Sequence, residues 1–236
     1  MSKPYLVILG TALNPSSKLL TSFGEKRTRQ FAFGLERVAE LADKFSDFDF
    51  AIVDNTITPD FVVPESIKKA MDKIPNLKTV FFLENELATK NKGCGVIAGW
   101  KKTIQVANVA GYKYVIYFEP RQLLLNFHFF ERLVKSPGNY FRLLVNRVRA
   151  TTKPKFVQFI FKFVPLYTRQ FHVGLFSLST DLFMEYVGKA DLTLMADKKV
   201  SLEDDIYRKL KSKDIKSVKK LGLIWHDASI DEYIAY

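Results

Sequence analysis

The sequence predicts an α/β domain, with a mostly parallel sheet covered by helices on both faces and a less regular C-terminal half. Three observations predict it. Over the first half, four short apolar runs at residues 5–9, 48–53, 79–83 and 114–118 alternate with helical stretches, the order that buries a parallel sheet between two helix layers. Polar groups follow three of those runs: Asp54 and Asn55, Glu84, and Glu119. Ligands of open α/β sheets sit at the carboxyl ends of the strands, so these residues are expected along one edge. Finally, in YVIYFEPR at 114–121, Pro120 ends the strand and leaves a carboxylate, Glu119, beside a guanidinium, Arg121. An arginine fork there suits phosphate, which makes a phosphorylated small molecule the first ligand class expected.

The elements follow in order. Residues 14–24, rich in Ser, Thr, Gly and Pro, predict a loop. Phe31, Leu35, Val38, Leu41, Ala42 and Phe45 recur at three- and four-residue spacing and predict a helix over 25–45. A short helix is predicted at 64–73, with Pro64 at its start, and a longer one at 93–110, stopped by Gly111. Helices are predicted at 123–134 and 140–149. The alternation of FVQFIFKFV at 156–164 predicts a strand, and 172–178 another. Residues 180–187 predict a helix with Thr180 as N-cap. A further helix spans 201–211, where Ser201 caps and Asp204 completes a pattern like a capping box. Residues 221–225 predict the last strand. With no internal repeat and no linker, one domain over 1–236 is expected.

Composition narrows the function. The 236 residues are 47% apolar, enough for a large core. The single cysteine, Cys94, excludes an internal disulfide and a Cys₄ or Cys₂His₂ zinc site within one chain; at a helix start its thiol lacks a catalytic partner and reads as incidental. No stretch approaches about 20 apolar residues, and the N-terminal run is too short for a secretory signal, so a cytoplasmic protein, or one peripheral at the inner face of a membrane, is expected. The net charge of +11 favours polyanionic partners: nucleic acid, anionic lipid, or phosphorylated and acidic glycans.

Taken together, the chain resembles the GT-A nucleotide-diphospho-sugar transferase superfamily, and within it a group of predicted bacterial and viral glycosyltransferases of similar length. The matching features are spread over most of the chain: a helix bearing Arg27 and Gln30; the strand-end pair Asp54-Asn55; the turn Lys92-Gly93-Cys94-Gly95 opening the central helix; Pro120-Arg121 after the fourth strand; Gly174-Leu175-Phe176; and the helix start Ser201-Leu202-Glu203. The resemblance implies a mostly parallel, Rossmann-like GT-A sheet, with 1–121 as the nucleotide-binding half and 122–236 as the acceptor side. It implies transfer of a sugar from a nucleoside-diphosphate donor to a hydroxyl of a glycan or lipid-linked acceptor, in surface polysaccharide or glycoconjugate synthesis. Asp54 and Asn55 would contact the nucleoside; Lys92, Gly93 and Arg121 would attend the diphosphate, with Arg27 also binding the nucleotide sugar; Glu203, with Asp204 and Asp205 competing, would act as general base. Mn²⁺ or Mg²⁺ would be held by Glu119 and His226. The chain departs from the pattern at the metal site, because the usual Asp-x-Asp is replaced here by the single carboxylate of Glu119.

Each site residue also has a plain structural reading. Asp54 and Asn55 can make a turn, Lys92-Gly93 can be a loop entering a helix, Glu119 and Arg121 an internal ion pair, and the acids at 203–205 can complement a helix dipole. His128 and His172, in aromatic surroundings, read as structural. Basic residues from Arg142 to Arg169 mix with aromatics, as single-stranded nucleic acid or a membrane interface would require, although no recognised nucleic-acid module is present. The alternatives to an enzyme are a non-catalytic relative that binds a nucleotide sugar or glycan, and a basic nucleic-acid-binding protein.

Overall fold

The computed structural model describes residues 3–14, 17–84, 86–147, 167–227 and 232–235. A seven-stranded sheet forms its centre, in the order β3-β2-β1-β4-β7-β6-β8. Its strands are β1 (Tyr5–Thr11), β2 (Phe48–Asp54), β3 (Lys78–Phe81), β4 (Tyr114–Phe118), β6 (Tyr140–Arg147), β7 (Tyr167–Ser179) and β8 (Lys216–Ser217). The first four are mutually parallel, and β7 alone runs against its neighbours β4 and β6. A second, three-stranded sheet joins β5 (Leu123–Leu124), β9 (Leu223–Asp227) and β10 (Glu232–Ala235). The helices are α1 (Ser17–Lys44), α2 (Glu65–Asp72), α3 (Glu86–Lys90), α4 (Lys92–Val106), α5 (His128–Lys135), α6 (Thr180–Gly188), α7 (Leu192–Asp197) and α8 (Leu202–Leu210).

Alternation along β1 sets the two cores. Leu6 and Ile8 face one layer, where Trp100 of α4 meets Tyr117, Phe176, Phe183 and Tyr186 at ring centroid distances of 5.1, 5.7, 5.6 and 6.3 Å. Tyr5, Val7 and Leu9 face the other, filled by Phe31, Leu35 and Val38 of α1 and by Phe129, Phe130 and Leu133 of α5. Both faces of β1 are buried, which is why it reads as a continuous apolar run. Trp100 is fully buried; losing such a ring costs about 3–5 kcal/mol.

The first half matches the expected order, and the departures have local causes. Residues 14–24 were expected as a loop, yet α1 begins at Ser17, because loop-type composition is a weak constraint against helix. The central helix ends at Val106, not Ala110: Ala107 is its C-cap, Asn108 takes φ 47°, and Gly111 closes a separate 3₁₀ turn. In 123–134, Asn126 accepts the His128 backbone N–H and splits the expected helix into β5 and α5. Of 140–149, expected as a helix, Tyr140–Arg147 form β6, because the apolar run there is too short for periodicity to decide and pairing with β7 decides it. Ser179, not Thr180, is the N-cap of α6; the Thr180 hydroxyl donates to Tyr112 O at 2.8 Å. After β9 the chain adds β10, so 221–225 does not hold the last strand. The strand expected at 156–164 lies outside the described residues. Among the described residues no helix is long and apolar enough to cross a membrane.

One close approach fixes the sheet edge. Gly34 of α1 lies against the backbone of Pro120, and a Cβ there would overlap the Pro120 carbonyl oxygen. Gly34→Ala is therefore expected to destabilise the fold by about 1–3 kcal/mol, through overpacking against unyielding backbone. Gly188→Ala, with nothing within 4 Å of the added methyl, should be neutral or slightly stabilising. Urea titration of the two variants checks the contrast.

Candidate functional site

The paired strands end level with one another. Thr11 pairs with Asp54, and Phe118 with Leu9, so the residues after β1, β2 and β4 meet at one edge. A cleft of about 670 Å³ opens there. Its floor is the end of β1 with Asn55 and Thr56 after β2; Tyr117, Glu119 and Arg121 come from β4 and its turn, and Arg27 from α1. The starts of α4 and α8 complete it with Lys92, Gly93, Ser201 and Glu203. Of the residues expected at the site, Arg27, Asn55, Lys92, Gly93, Glu119, Arg121 and Glu203 therefore line one cavity.

Asp54 stands apart from that lining. Its side chain is buried at 1% exposure and both oxygens are engaged: one accepts from Thr56 N (2.8 Å) and Thr56 Oγ1 (2.6 Å), the other from Thr11 Oγ1 (2.9 Å) and Leu13 N (2.7 Å). Asp54 ties the loops after β1 and β2 together beneath the cleft, and it is not presented to a nucleoside. Asn55 is presented. Its amide donates to Glu84 O at 2.9 Å, and α4 comes close because Gly95 has no Cβ to meet the Asn55 amide. Glu84 itself is exposed and outside the lining.

The turn at 91–95 is anchored on both sides. Asn91 is the N-cap of α4 and accepts from Gly93 N at 3.0 Å; its amide donates to Met195 O (2.9 Å) and Val200 O (2.7 Å). The N-terminal end of α4, with Lys92 at its first position, therefore faces the cleft and favours an anion. Cys94 is buried, its thiol donates to Leu192 O at 3.3 Å, and burial pushes its pKa up, in keeping with an incidental role.

Glu119 is held by its neighbours in the turn after β4. Arg121 Nε donates to one oxygen and Gln122 Nε2 to the other at 3.0 Å. Burial pushes this carboxyl up, but Arg121, Gln122 and Arg27 outweigh it and hold it below the ordinary carboxylate range. Gln122 reaches this position because Gly174 of β7 leaves it room; a Cβ at Gly174 would overlap the Gln122 amide. A hard divalent ion needs several free oxygen ligands. Here both oxygens of Glu119 are occupied, and two guanidinium groups stand beside it. Among the described residues no group of three or more His, Cys, Asp or Glu gathers to hold a metal. The described residues do not fit a protein-held divalent ion. His226 falls in β9, but its side chain lies outside the described residues.

The three acids at the start of α8 separate by geometry. Asp204 accepts from Ser201 Oγ at 3.0 Å, while Ser201 Oγ accepts from Asp204 N at 3.1 Å, so Asp204 serves the cap. Asp205 accepts from Tyr186 Oη at 2.8 Å and pairs with Lys209 at 3.0 Å. Glu203 alone of the three lines the cleft. Burial, then the charges of Asp204 and Glu119, push its carboxyl above the ordinary value, the direction that suits a proton acceptor working near neutral pH.

Several lining residues were not foreseen. Tyr117 sits at 5% exposure inside an expected core strand, where nothing in the sequence separates a cleft-facing ring from a core one. Thr11 and Thr56 line the cleft because Asp54 draws them together. Lys90 ends α3 and Lys199 follows α7, two short helices that had not been expected.

No family model matches the chain, and no curated protein matches it. Among solved structures, a 4-diphosphocytidyl-2C-methyl-D-erythritol synthase superposes with a TM-score of 0.50 at 11% identity, over 98% of this chain and 93% of its own. A cytidylyltransferase from Leptospira borgpetersenii serovar Hardjo-bovis (strain JB197) aligns at a TM-score of 0.47 and 7% identity, over 94% and 77%. A proposed nucleotide-diphospho-sugar transferase from Desulfovibrio desulfuricans G20 aligns at 0.47 and 12%, over 92% and 80%. The likeness to the synthase is one of fold: a mostly parallel α/β sheet with helices around it.

His172, beside the cleft residue Val173, provides a pH test. It is buried at 6% exposure, its Nδ1 accepts from Gly174 N at 3.3 Å, and burial together with Arg142 lowers its pKa to about 4. The unfolded chain takes up this proton first, near pH 6.5. The stability His172 contributes is thus present above pH 6.5 and is lost as pH falls toward 4, by up to about 3 kcal/mol. Denaturation between pH 7 and 4 should show that extra slope in the native chain and not in His172→Gln.

Proposed function

We propose that the chain transfers a sugar from a nucleoside-diphosphate donor to an acceptor hydroxyl. The observation that carries this reading is the convergence, in one cleft at the sheet edge, of the carboxylate Glu203 with the cations Arg27, Lys92 and Arg121. A leaving diphosphate needs positive charge and oriented N–H groups, which the three cations and the start of α4 provide. An attacking hydroxyl needs a base, and a carboxylate with a raised pKa is suited to it.

In this reading Asn55 meets the nucleoside and Arg27, Lys92 and Arg121 clamp the diphosphate. Glu203 takes the acceptor proton as the acceptor oxygen bonds to the anomeric carbon. The bond from that carbon to the phosphate oxygen breaks, and the nucleoside diphosphate leaves with the electron pair. A single displacement inverts the anomeric centre. Glu119 orients Arg121 and tempers the charge of the clamp, so neutralisation of the diphosphate rests on side chains.

A second reading is nucleotidyl transfer, in which a phosphorylated substrate attacks a nucleoside triphosphate and pyrophosphate leaves. The density of cations in the cleft favours it, and one structural neighbour is a diphosphocytidyl synthase by name. The leaving group separates the two: a nucleoside diphosphate for sugar transfer, pyrophosphate for nucleotidyl transfer.

A panel of UDP-, GDP-, CMP- and dTDP-sugars should contain one that raises Tm by mass action, equally with Mn²⁺ and with EDTA. Glu203→Gln should keep that shift and lose about 10²- to 10⁴-fold in kcat. Lys92→Ala should weaken donor binding about tenfold, the worth of one charge-assisted contact. A shift that requires Mn²⁺ would overturn the side-chain clamp, and full activity in Glu203→Gln would overturn the base.

A further inference from the structure

The cleft carries more positive charge than a nucleoside diphosphate uses. Its lining holds five cations against the two carboxylates Glu119 and Glu203, whereas a donor brings roughly one negative charge per phosphate. With Arg27, Lys92 and Arg121 assigned to the diphosphate, Lys90 and Lys199 remain.

Among the described residues, Lys199 is one of three non-glycine residues with positive φ, the others being Asn76 and Asn108. It has φ 51°, in the left-handed region, just beyond the C-cap Lys198 of α7. Glycine is the usual residue there, because a side chain in this conformation is strained. The loop is held from within by Val200 N to Met195 O (3.0 Å) and Lys199 N to Ala196 O (3.3 Å). From outside it is held by the Asn91 amide, which donates to Met195 O and Val200 O. The same Asn91 caps the turn that carries Lys92, so the two lysines belong to one braced unit. Two residues after Lys199, Ser201 opens α8, whose first turn presents Glu203 to the cleft. The chain thus places a cation at a position that favours glycine, on the side of the cleft where the proposed base stands.

We propose that Lys199 binds a second anion beside the diphosphate: a phosphate or carboxylate carried by the acceptor or by the donor sugar. Which molecule carries the anion rests on the transferase reading; the binding of an anion at Lys199 does not.

The test is Lys199→Gly, which removes the charge and relieves the backbone, so its Tm should be unchanged or higher by up to ~3 °C. Inorganic phosphate is titrated calorimetrically into the native chain and the variant, alone and with a saturating nucleoside diphosphate. Phosphate should bind the native chain alongside the nucleotide and lose at least tenfold in affinity in Lys199→Gly, while nucleotide affinity changes less than twofold. Equal phosphate affinity in the two proteins, or phosphate excluded by the nucleotide, would overturn the proposal. UDP-glucuronic acid and UDP-glucose then separate the sources. Weakening of the uronate donor alone in Lys199→Gly assigns the anion to the donor sugar; equal binding of both donors, with phosphate still lost, assigns it to the acceptor. Phosphate bound through Lys199 by a chain that binds no nucleoside diphosphate would overturn the transferase reading and leave this site standing.

Discussion

The site depends on one buried carboxylate. Asp54 closes β2 at 1% exposure and receives four hydrogen bonds from Thr11, Leu13 and Thr56. A carboxylate taken out of water costs several kcal/mol unless its lone pairs are satisfied, so a chain that buries Asp54 must bring those donors to it. In doing so it bends the loop after β1 toward the loop after β2; Asn14 N reinforces this by donating to Thr56 Oγ1 at 3.0 Å. The cleft floor is the surface that results. Asn55 is exposed to the cleft because its neighbour is not.

The same division recurs around the rest of the cleft, where polar side chains that build stand next to polar side chains that face the cavity. Asn91 is spent on Gly93, Met195 and Val200, and Lys92 beside it is left to the cavity. Asp204 and Asp205 hold the cap and Tyr186, and Glu203 is left. Gln122 holds Glu119, and Glu119 holds Arg121. An electrostatic site of this kind acts through pre-oriented charges, and Lys92 and Glu203 each have neighbours in the chain that fix the backbone beneath them.

That division explains how far the sequence could be read. The first half was legible because β1 to β4 are buried on both faces and the intervening helices keep their period. The edge residues followed from strand ends, and Asn55, Lys92, Glu119, Arg121 and Glu203 meet in the cleft as residue type and place suggested. What could not be read was which of two adjacent polar residues would be used in building. Asp54 and Asn55 are equally good turn formers, and only the hydrogen bonds from Thr11 and Leu13, 41 or more residues away in sequence, decide between them. The second half failed for a related reason: β6 is a strand because β7 pairs with it across the residues between them, and its own apolar residues are compatible with a helix. Lys199 gave no signal, since a left-handed helix terminus is recognised in sequence by Gly or Asn and here the residue is lysine.

The metal question turns on the same logic. A site that neutralises a diphosphate with a divalent ion needs carboxylates kept free of cations, because an ion already paired with a guanidinium offers a metal little. In this chain the one carboxylate after β4 is held between Arg121 and Gln122, with Arg27 close enough to lower its pKa further. Arg27 in turn has its own pKa lowered by burial and by Arg121, with Glu119 acting in the opposite direction, so the two guanidinium groups repel one another and the carboxylate between their charges offsets that repulsion. A diphosphate entering there relieves that repulsion, and so would the loss of one arginine. Glu119 holds these two like charges together at the cleft edge, which is the kind of site an anion favours.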